Sequence, residues 1–134
     1  MKRIPLLILV LFVLAVMPAC KKKKSDSCSS EPAISVTTIP ANGTTEAPAP
    51  GPTFPLQVTI NSALPPGGVT IEVKAHQEGQ STNFYSTSTT SASKDNSFTI
   101  SGTPKSVTCV VEITVSSRNC SNNKWSGNYR YSMK

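Results

Sequence analysis

The stretch VTCVVEITV, residues 107–115, decides the fold of this 134-residue chain. Every second residue in it is apolar, from Val107 through Cys109 to Val115, and Glu112 lies among the residues between them. Successive side chains of a β-strand point to opposite faces of its sheet, so a period of two places all the alternate residues on one face. The stretch therefore predicts a β-strand with one buried face and one solvent-facing side.

Strand signals recur along most of the chain after residue 20, and no stretch there shows the 3.6-residue period of a helix. The candidate strands are residues 33–39, 56–60, 69–76, 84–93, 98–100 and 126–133. The stretch 84–93 is rich in Ser and Thr and predicts an edge strand, and PPGG at residues 65–68 predicts a turn. We expect an all-β fold, a single small sandwich of six or seven antiparallel strands, similar in pattern to immunoglobulin and fibronectin type III domains.

A proline-rich stretch, residues 40–55, interrupts the strand pattern. Proline cannot donate a backbone hydrogen bond, so this stretch cannot lie inside a sheet. It is either a loop of a domain that spans residues 33–134 or a semi-rigid spacer. In the second case the domain begins near Phe54.

The first 19 residues have the parts of an export signal. Lys2 and Arg3 form a positive start, and an apolar run broken only by Pro5 continues to Val16. The run is shorter than the roughly 20 apolar residues that a membrane-spanning helix needs. We therefore expect residues 1–19 to be a signal peptide that is removed.

The end of this leader carries an attachment signal. Met17, Pro18, Ala19 and Cys20 resemble the lipobox of bacterial lipoproteins. The resemblance implies transfer of diacylglycerol to the Cys20 sulfur, cleavage before Cys20, and acylation of the new amino terminus. Two or three acyl chains hold a protein stably at a bilayer.

A cysteine followed by several lysines and then Ser and Asp also resembles the lipoproteins of the Bacteroidota. The resemblance implies an envelope protein of the outer membrane. Acidic residues directly after the cysteine can direct such proteins to the outer face, but residues 21–24 here are lysines. The choice between the periplasmic and the surface face stays open.

The positive charge belongs to the leader and the anchor. The chain has 13 basic and seven acidic residues, for a net charge of +6. Six of the basic residues precede residue 25, so the remainder of the chain is neutral. A nucleic-acid-binding surface needs basic groups to neutralise several phosphates, and we exclude that class. The lysine run favours contact with anionic lipid head groups, within a flexible tether over residues 20–32.

Three cysteines remain after Cys20, and export exposes them to oxidising conditions. Cys109 lies about ten residues along a strand from the turn that holds Cys120, too far for a disulfide. Cys109 also belongs to the apolar face. We favour a Cys28–Cys120 disulfide, which would join the tether to the last hairpin; a Cys109–Cys120 bridge and the absence of any bridge are the alternatives.

Catalytic and metal-binding patterns are missing from the sequence. His76 is the only histidine, and the strand pattern places it on the solvent face without a nearby nucleophile. No phosphate-binding glycine loop and no metal-ligand spacing occurs. We therefore expect no enzyme activity, no cofactor and no metal.

One set of aromatic residues has two interpretations. Trp125, Tyr129 and Tyr131 share one face of the last predicted strand. Exposed, they would stack on sugar rings; the interpretation we favour is that they close the edge of the core.

The sequence thus predicts a lipid-anchored envelope protein that displays a non-catalytic β-sandwich with a structural or partner-binding role. The partners implied are the lipid bilayer and an envelope protein or glycan. The alternative function is a glycan-binding or adhesion module that uses Trp125, Tyr129 and Tyr131.

Overall fold

The computed structural model describes residues 27–134. The predicted signal peptide 1–19, the lipidated Cys20 and the lysine run 21–24 lie outside the described residues. The described part begins with one short 3-10 helix, Ser27–Ser30. Within residues 27–134, no helix has the length and apolar character needed to cross a membrane.

Seven strands follow this helix and hold almost all of the regular structure. They are β1 (Val36–Ile39), β2 (Phe54–Ile60), β3 (Val69–Gln77), β4 (Asn83–Ser91), β5 (Asp95–Ile100), β6 (Thr108–Ser117) and β7 (Lys124–Ser132). The order β1-β2-β5 forms one sheet and the order β4-β3-β6-β7 forms the other, with every neighbouring pair antiparallel. The prediction of a small all-β sandwich is confirmed. The Ser/Thr-rich strand β4 lies at a sheet edge, as its composition predicted.

The core lies between the two sheets and follows the predicted alternation. The fully buried side chains include Leu56, Val58, Ile60, Val69, Ile71, Val73, Ile100, Val111, Ile113 and Val115. In β6, the odd-numbered residues are buried, and their neighbours Glu112 and Thr108 are exposed. Burying a Val or Ile side chain contributes about 1.5–3 kcal/mol. The period of two in residues 107–115 therefore sets which face of the sheet is apolar.

The proline-rich stretch is a loop of the domain and not a spacer ahead of it. Its last two residues, Phe54 and Pro55, depart from the prediction, because they begin β2 and pair with β5. Pro55 is tolerated there because β1 pairs only with the later part of β2.

The middle of the proline-rich stretch runs parallel to β7, where the N–H of Glu46 donates to the Arg130 carbonyl (2.8 Å) and the N–H of Ala49 donates to the Ser132 carbonyl (2.8 Å). The N–H of Arg130 in turn donates to the Thr44 carbonyl (2.9 Å). A bare strand edge invites pairing with other chains. The loop covers the free edge of β7 with its own backbone groups.

The turn at residues 65–68 connects the two sheets and requires glycine. The N–H of Gly68 donates to the Pro65 carbonyl (2.8 Å), and Gly68 has a φ of 75°. A Cβ there would lie 2.6 Å from the Ser91 carbonyl oxygen. Only glycine satisfies both the left-handed backbone and the close approach.

Candidate functional site

One end of the sandwich is closed by a covalent bridge. Cys28 and Cys120 form a disulfide with a Cα–Cα distance of 5.3 Å. It joins the chain just before β1 to the turn between β6 and β7. This is the pairing favoured from the sequence, and Cys109, the partner in the alternative, is a free and buried cysteine on the core face of β6. Burial raises the pKa of the Cys109 thiol, as expected for an inert core residue.

The side chain of Asn123 reinforces this closed end. Its Oδ1 accepts the N–H of Ile34 (3.0 Å), and its Nδ2 donates to the Pro32 carbonyl (3.0 Å) and to the Glu31 carboxylate (3.2 Å). Residues 28–32 were assigned to a flexible tether, and that assignment is wrong. The disulfide and the Asn123 hydrogen bonds hold them against the domain. The tether can therefore extend no further than Ser27.

The aromatic residues of β7 point into the sandwich. The register pairs Tyr129 with Val111 and Tyr131 with Cys109, so both rings lie on the core face and have relative exposures of 0% and 1%. The hypothesis that Tyr129 and Tyr131 stack on a sugar is therefore wrong, and the core interpretation holds for them. Trp125 is half-buried, and its indole lies against Gly127, where a Cβ would collide with it.

Phe54 packs on both tyrosine rings and makes them an aromatic cluster. Its ring centroid lies 4.4 Å from that of Tyr131 and 6.0 Å from that of Tyr129. The Tyr131 hydroxyl is hydrogen-bonded to Thr103 Oγ1 (2.6 Å), whereas the buried Tyr129 hydroxyl has no hydrogen-bond partner among the described residues. Burial raises the pKa of both tyrosines; for Tyr129 the charges of Tyr131 and Glu46 add to the effect.

His76 lies on the outer face of the four-stranded sheet. Its Nε2 is 3.9 Å from Glu112 Oε1, and its Nδ1 is 2.9 Å from the Gln77 carbonyl. These neighbours offer a loose ion pair and a backbone contact, and neither supplies a nucleophile for the ring to activate. Residues 27–134 also contain no group of three or more His, Cys, Asp or Glu side chains placed to hold a metal ion.

A groove lies at the end of the sandwich opposite the disulfide. Ile39 ends β1 there, and its neighbours across the outer face of the three-stranded sheet are Gln57 and Ser97. Phe54, which packs on the tyrosine cluster, and Glu46 from the proline-rich loop also line the groove, whose volume is ≈ 460 Å³. That volume is in the usual range for a binding site. We call it the Ile39 groove.

The sequence patterns missed Ile39 and Glu46 as candidate site residues. A signal existed for Ile39, since Ile34 and Val36 set the parity of the buried face and Ile39 has the opposite parity. An apolar residue at a position that the alternation assigns to the solvent-facing side indicates an exposed apolar side chain. Glu46 had no such signal, because the path of an irregular loop does not follow from periodicity.

Comparison with protein-family models, with curated proteins and with solved structures found no match. The function is therefore inferred from this chain's own residues, above all from the disulfide-closed end and the Ile39 groove.

Proposed function

We propose that this protein is a lipid-anchored protein of the bacterial cell envelope, in the outer membrane, that displays a non-catalytic β-sandwich for binding a partner. The lipobox-like stretch that ends at Cys20 is the attachment point. The single observation that carries the proposal is the disulfide between Cys28 and Cys120. It lies directly after the attachment point and determines which end of the domain the anchor joins.

The disulfide supports export from the cytoplasm. Disulfides persist in oxidising compartments such as the bacterial periplasm and the cell surface, and they are rare in the cytosol. The predicted export signal, with Lys2 and Arg3, and the disulfide to Cys120 are separate observations. Both favour a location outside the cytoplasm.

The disulfide also limits the distance between bilayer and domain. Seven residues lie between Cys20 and Cys28, so the chain makes eight residue steps, and an extended chain spans at most about 3.6 Å per step. The bridged end of the sandwich then lies within about 30 Å of the membrane. The lysines at 21–24 lie within this short connection, where contact with anionic head groups contributes about 1 kcal/mol for each lysine. The opposite end, with the Ile39 groove, faces away from the bilayer.

The test is metabolic labelling with an alkyne analogue of palmitate in a Gram-negative host that expresses the full chain. We expect label on the wild-type protein, recovery of that protein in the membrane fraction, and loss of both in Cys20→Ser. Cys109→Ala is the matched control, because it removes a cysteine that lies outside the leader and is expected to keep the label. Label that persists in Cys20→Ser, or its absence from the wild type, would contradict the proposal.

A further inference from the structure

The Ile39 groove contains the most exposed large apolar side chain of residues 27–134. Ile39 has a relative exposure of 66%, while the side chains of the core are almost wholly covered. An isolated exposed isoleucine is ordinary, but this one shares the groove with the exposed Pro55 and the half-buried rings of Phe54 and Phe98. Contiguous exposed apolar surface of this kind marks interaction sites.

Glu46 gives the groove a negative charge. Its carboxylate accepts a hydrogen bond from the Thr44 hydroxyl (2.7 Å) but forms no ion pair within residues 27–134. Glu78, in contrast, is paired with Arg130 Nε at 2.7 Å. Glu46 is half-buried, so a cation that reached it would be partly shielded from water and more strongly attracted than at an open surface.

The amino-terminal part of the chain enters the domain away from this groove. The residues before Ser27 connect through Cys28, which is bonded to Cys120 at the opposite end of the sandwich. Ile34 lies beside that end, and Ile39 follows it five positions later along extended chain, which corresponds to about 17 Å. The described chain therefore begins at the bridged end and not at the groove.

We propose that the Ile39 groove binds an extended segment of a partner protein in which a lysine or arginine lies next to an aliphatic or aromatic residue. The apolar side chain contacts Ile39 and Phe54, and the cation pairs with Glu46. Gln57 and Ser97 supply polar groups for the backbone of the segment. This inference deepens the proposed display role and takes from it only the assumption that the domain binds a partner; it does not require the lipid.

The test is selection from a phage-displayed random peptide library against the full-length mature protein in detergent. We expect the selected peptides to carry Lys or Arg within one or two positions of Leu, Ile, Phe or Trp. Ile39→Ser and Glu46→Gln should each weaken binding of the best peptide by about tenfold or more, as for a central interface residue. Both side chains are at least partly exposed, so both variants are expected to fold, and thermal melts monitored by circular dichroism check this.

Two matched variants separate the groove from the rest of the surface. Thr37→Ala changes an exposed residue of the same strand, and Glu112→Gln removes an exposed carboxylate from the other sheet; both should leave peptide binding within about twofold, as surface changes outside an interface do. Selection of no peptide, or of peptides that bind Ile39→Ser and Glu46→Gln unchanged, would overturn the inference. So would a gain in binding when lysines 21–24 are replaced by serine, because the chain's own lysines would then be the occupant. Palmitate labelling is read independently of all these outcomes.

Discussion

The two ends of the sandwich are built in opposite ways. At one end, the Cys28–Cys120 disulfide and the hydrogen bonds of Asn123 hold the segment before β1 against the turn between β6 and β7. At the other end, Ile39 is exposed and Glu46 has no cation within residues 27–134. A covalent bridge and several hydrogen bonds close the first end, whereas the second end holds an exposed isoleucine and a carboxylate whose partner is the Thr44 hydroxyl and not a cation of residues 27–134. This difference is the basis for our proposal that one end attaches the domain and the other recognises a partner.

Of the changes predicted here, removal of the disulfide should cause the largest loss in the free energy of unfolding. The bridge joins residues 92 positions apart, and a closed loop of this size contributes about 4 kcal/mol to the free energy of unfolding. The double variant Cys28→Ser/Cys120→Ser should lose about that amount in urea unfolding. Cys109→Ala keeps the bridge and should lose less. A double variant as stable as the wild type would show that the disulfide does not stabilise this end of the domain.

Two isoleucines, Ile34 just before β1 and Ile39 at its last residue, test the contrast between the two ends of the sandwich without a change to any cysteine. Ile34, at the bridged end, has a relative exposure of 7%, and Ile39, at the groove, has one of 66%. Ile34→Ala should cost about 2–4 kcal/mol through lost burial and a cavity. Ile39→Ala should stay within about 0.5 kcal/mol, as for an ordinary surface residue. Chemical unfolding of both variants under one condition gives the comparison, and equal losses would contradict the assigned ends.

Alkaline pH should destabilise the domain through the tyrosine cluster. Tyr129 and Tyr131 have pKa values raised by burial, so above about pH 10 the unfolded chain releases their protons while the folded protein keeps them. The free energy of unfolding is therefore unaffected below that pH and falls above it. The loss approaches about 1.4 kcal/mol per pH unit for each tyrosine that is ionised in the unfolded chain and still protonated in the folded protein. Urea unfolding between pH 9 and about 11.5 should show the fall. Tyr129→Phe/Tyr131→Phe should flatten it, and an unchanged slope would contradict the buried cluster.

The smallest expected effect is the difference in stability between loss of the Tyr131 hydroxyl and loss of the Tyr129 hydroxyl. Tyr131→Phe leaves the buried Thr103 hydroxyl without its partner, which costs about 1–2 kcal/mol. Tyr129→Phe removes a buried hydroxyl that has no partner among the described residues, so stability should be unchanged or slightly higher. Thermal unfolding of the two single variants measures the difference. A loss in Tyr129→Phe equal to that in Tyr131→Phe would reveal a bond to the Tyr129 hydroxyl.

The sequence predicted the features that depend on local alternation. The parity of residues 107–115 identified the core face of β6, and the same rule located the buried residues of β2 and β3. It also placed Cys120 in a turn and Cys109 in the core, which favoured Cys28 as the partner of Cys120, and the structure has that bridge. These features follow from periodicity because the alternation of apolar and polar residues within a strand shows which of its faces is buried.

The features of the groove depend on tertiary contacts that periodicity does not contain. The proline-rich stretch follows the edge of β7 through backbone bonds such as that of Glu46 to Arg130, and it thereby carries the carboxylate into the groove. The composition of the stretch excluded a sheet interior but did not specify this path. Likewise, residues 28–32 have a polar composition typical of a tether, and only the contact with Asn123 makes them part of the domain.

The most direct test of the two-ended arrangement is the depth of each end relative to the bilayer. A single cysteine is introduced at Asn122, in the turn beside the disulfide, or at Gln80, in the exposed turn between β3 and β4 at the groove end. Each is labelled with a fluorophore, in lipidated full-length protein held in vesicles that contain a head-group quencher. Cys109 is buried and the other described cysteines are bonded, so the label goes to the new site. We expect stronger quenching at position 122 than at position 80; equal quenching, or stronger quenching at position 80, would show that the bridged end is not the end nearer the bilayer.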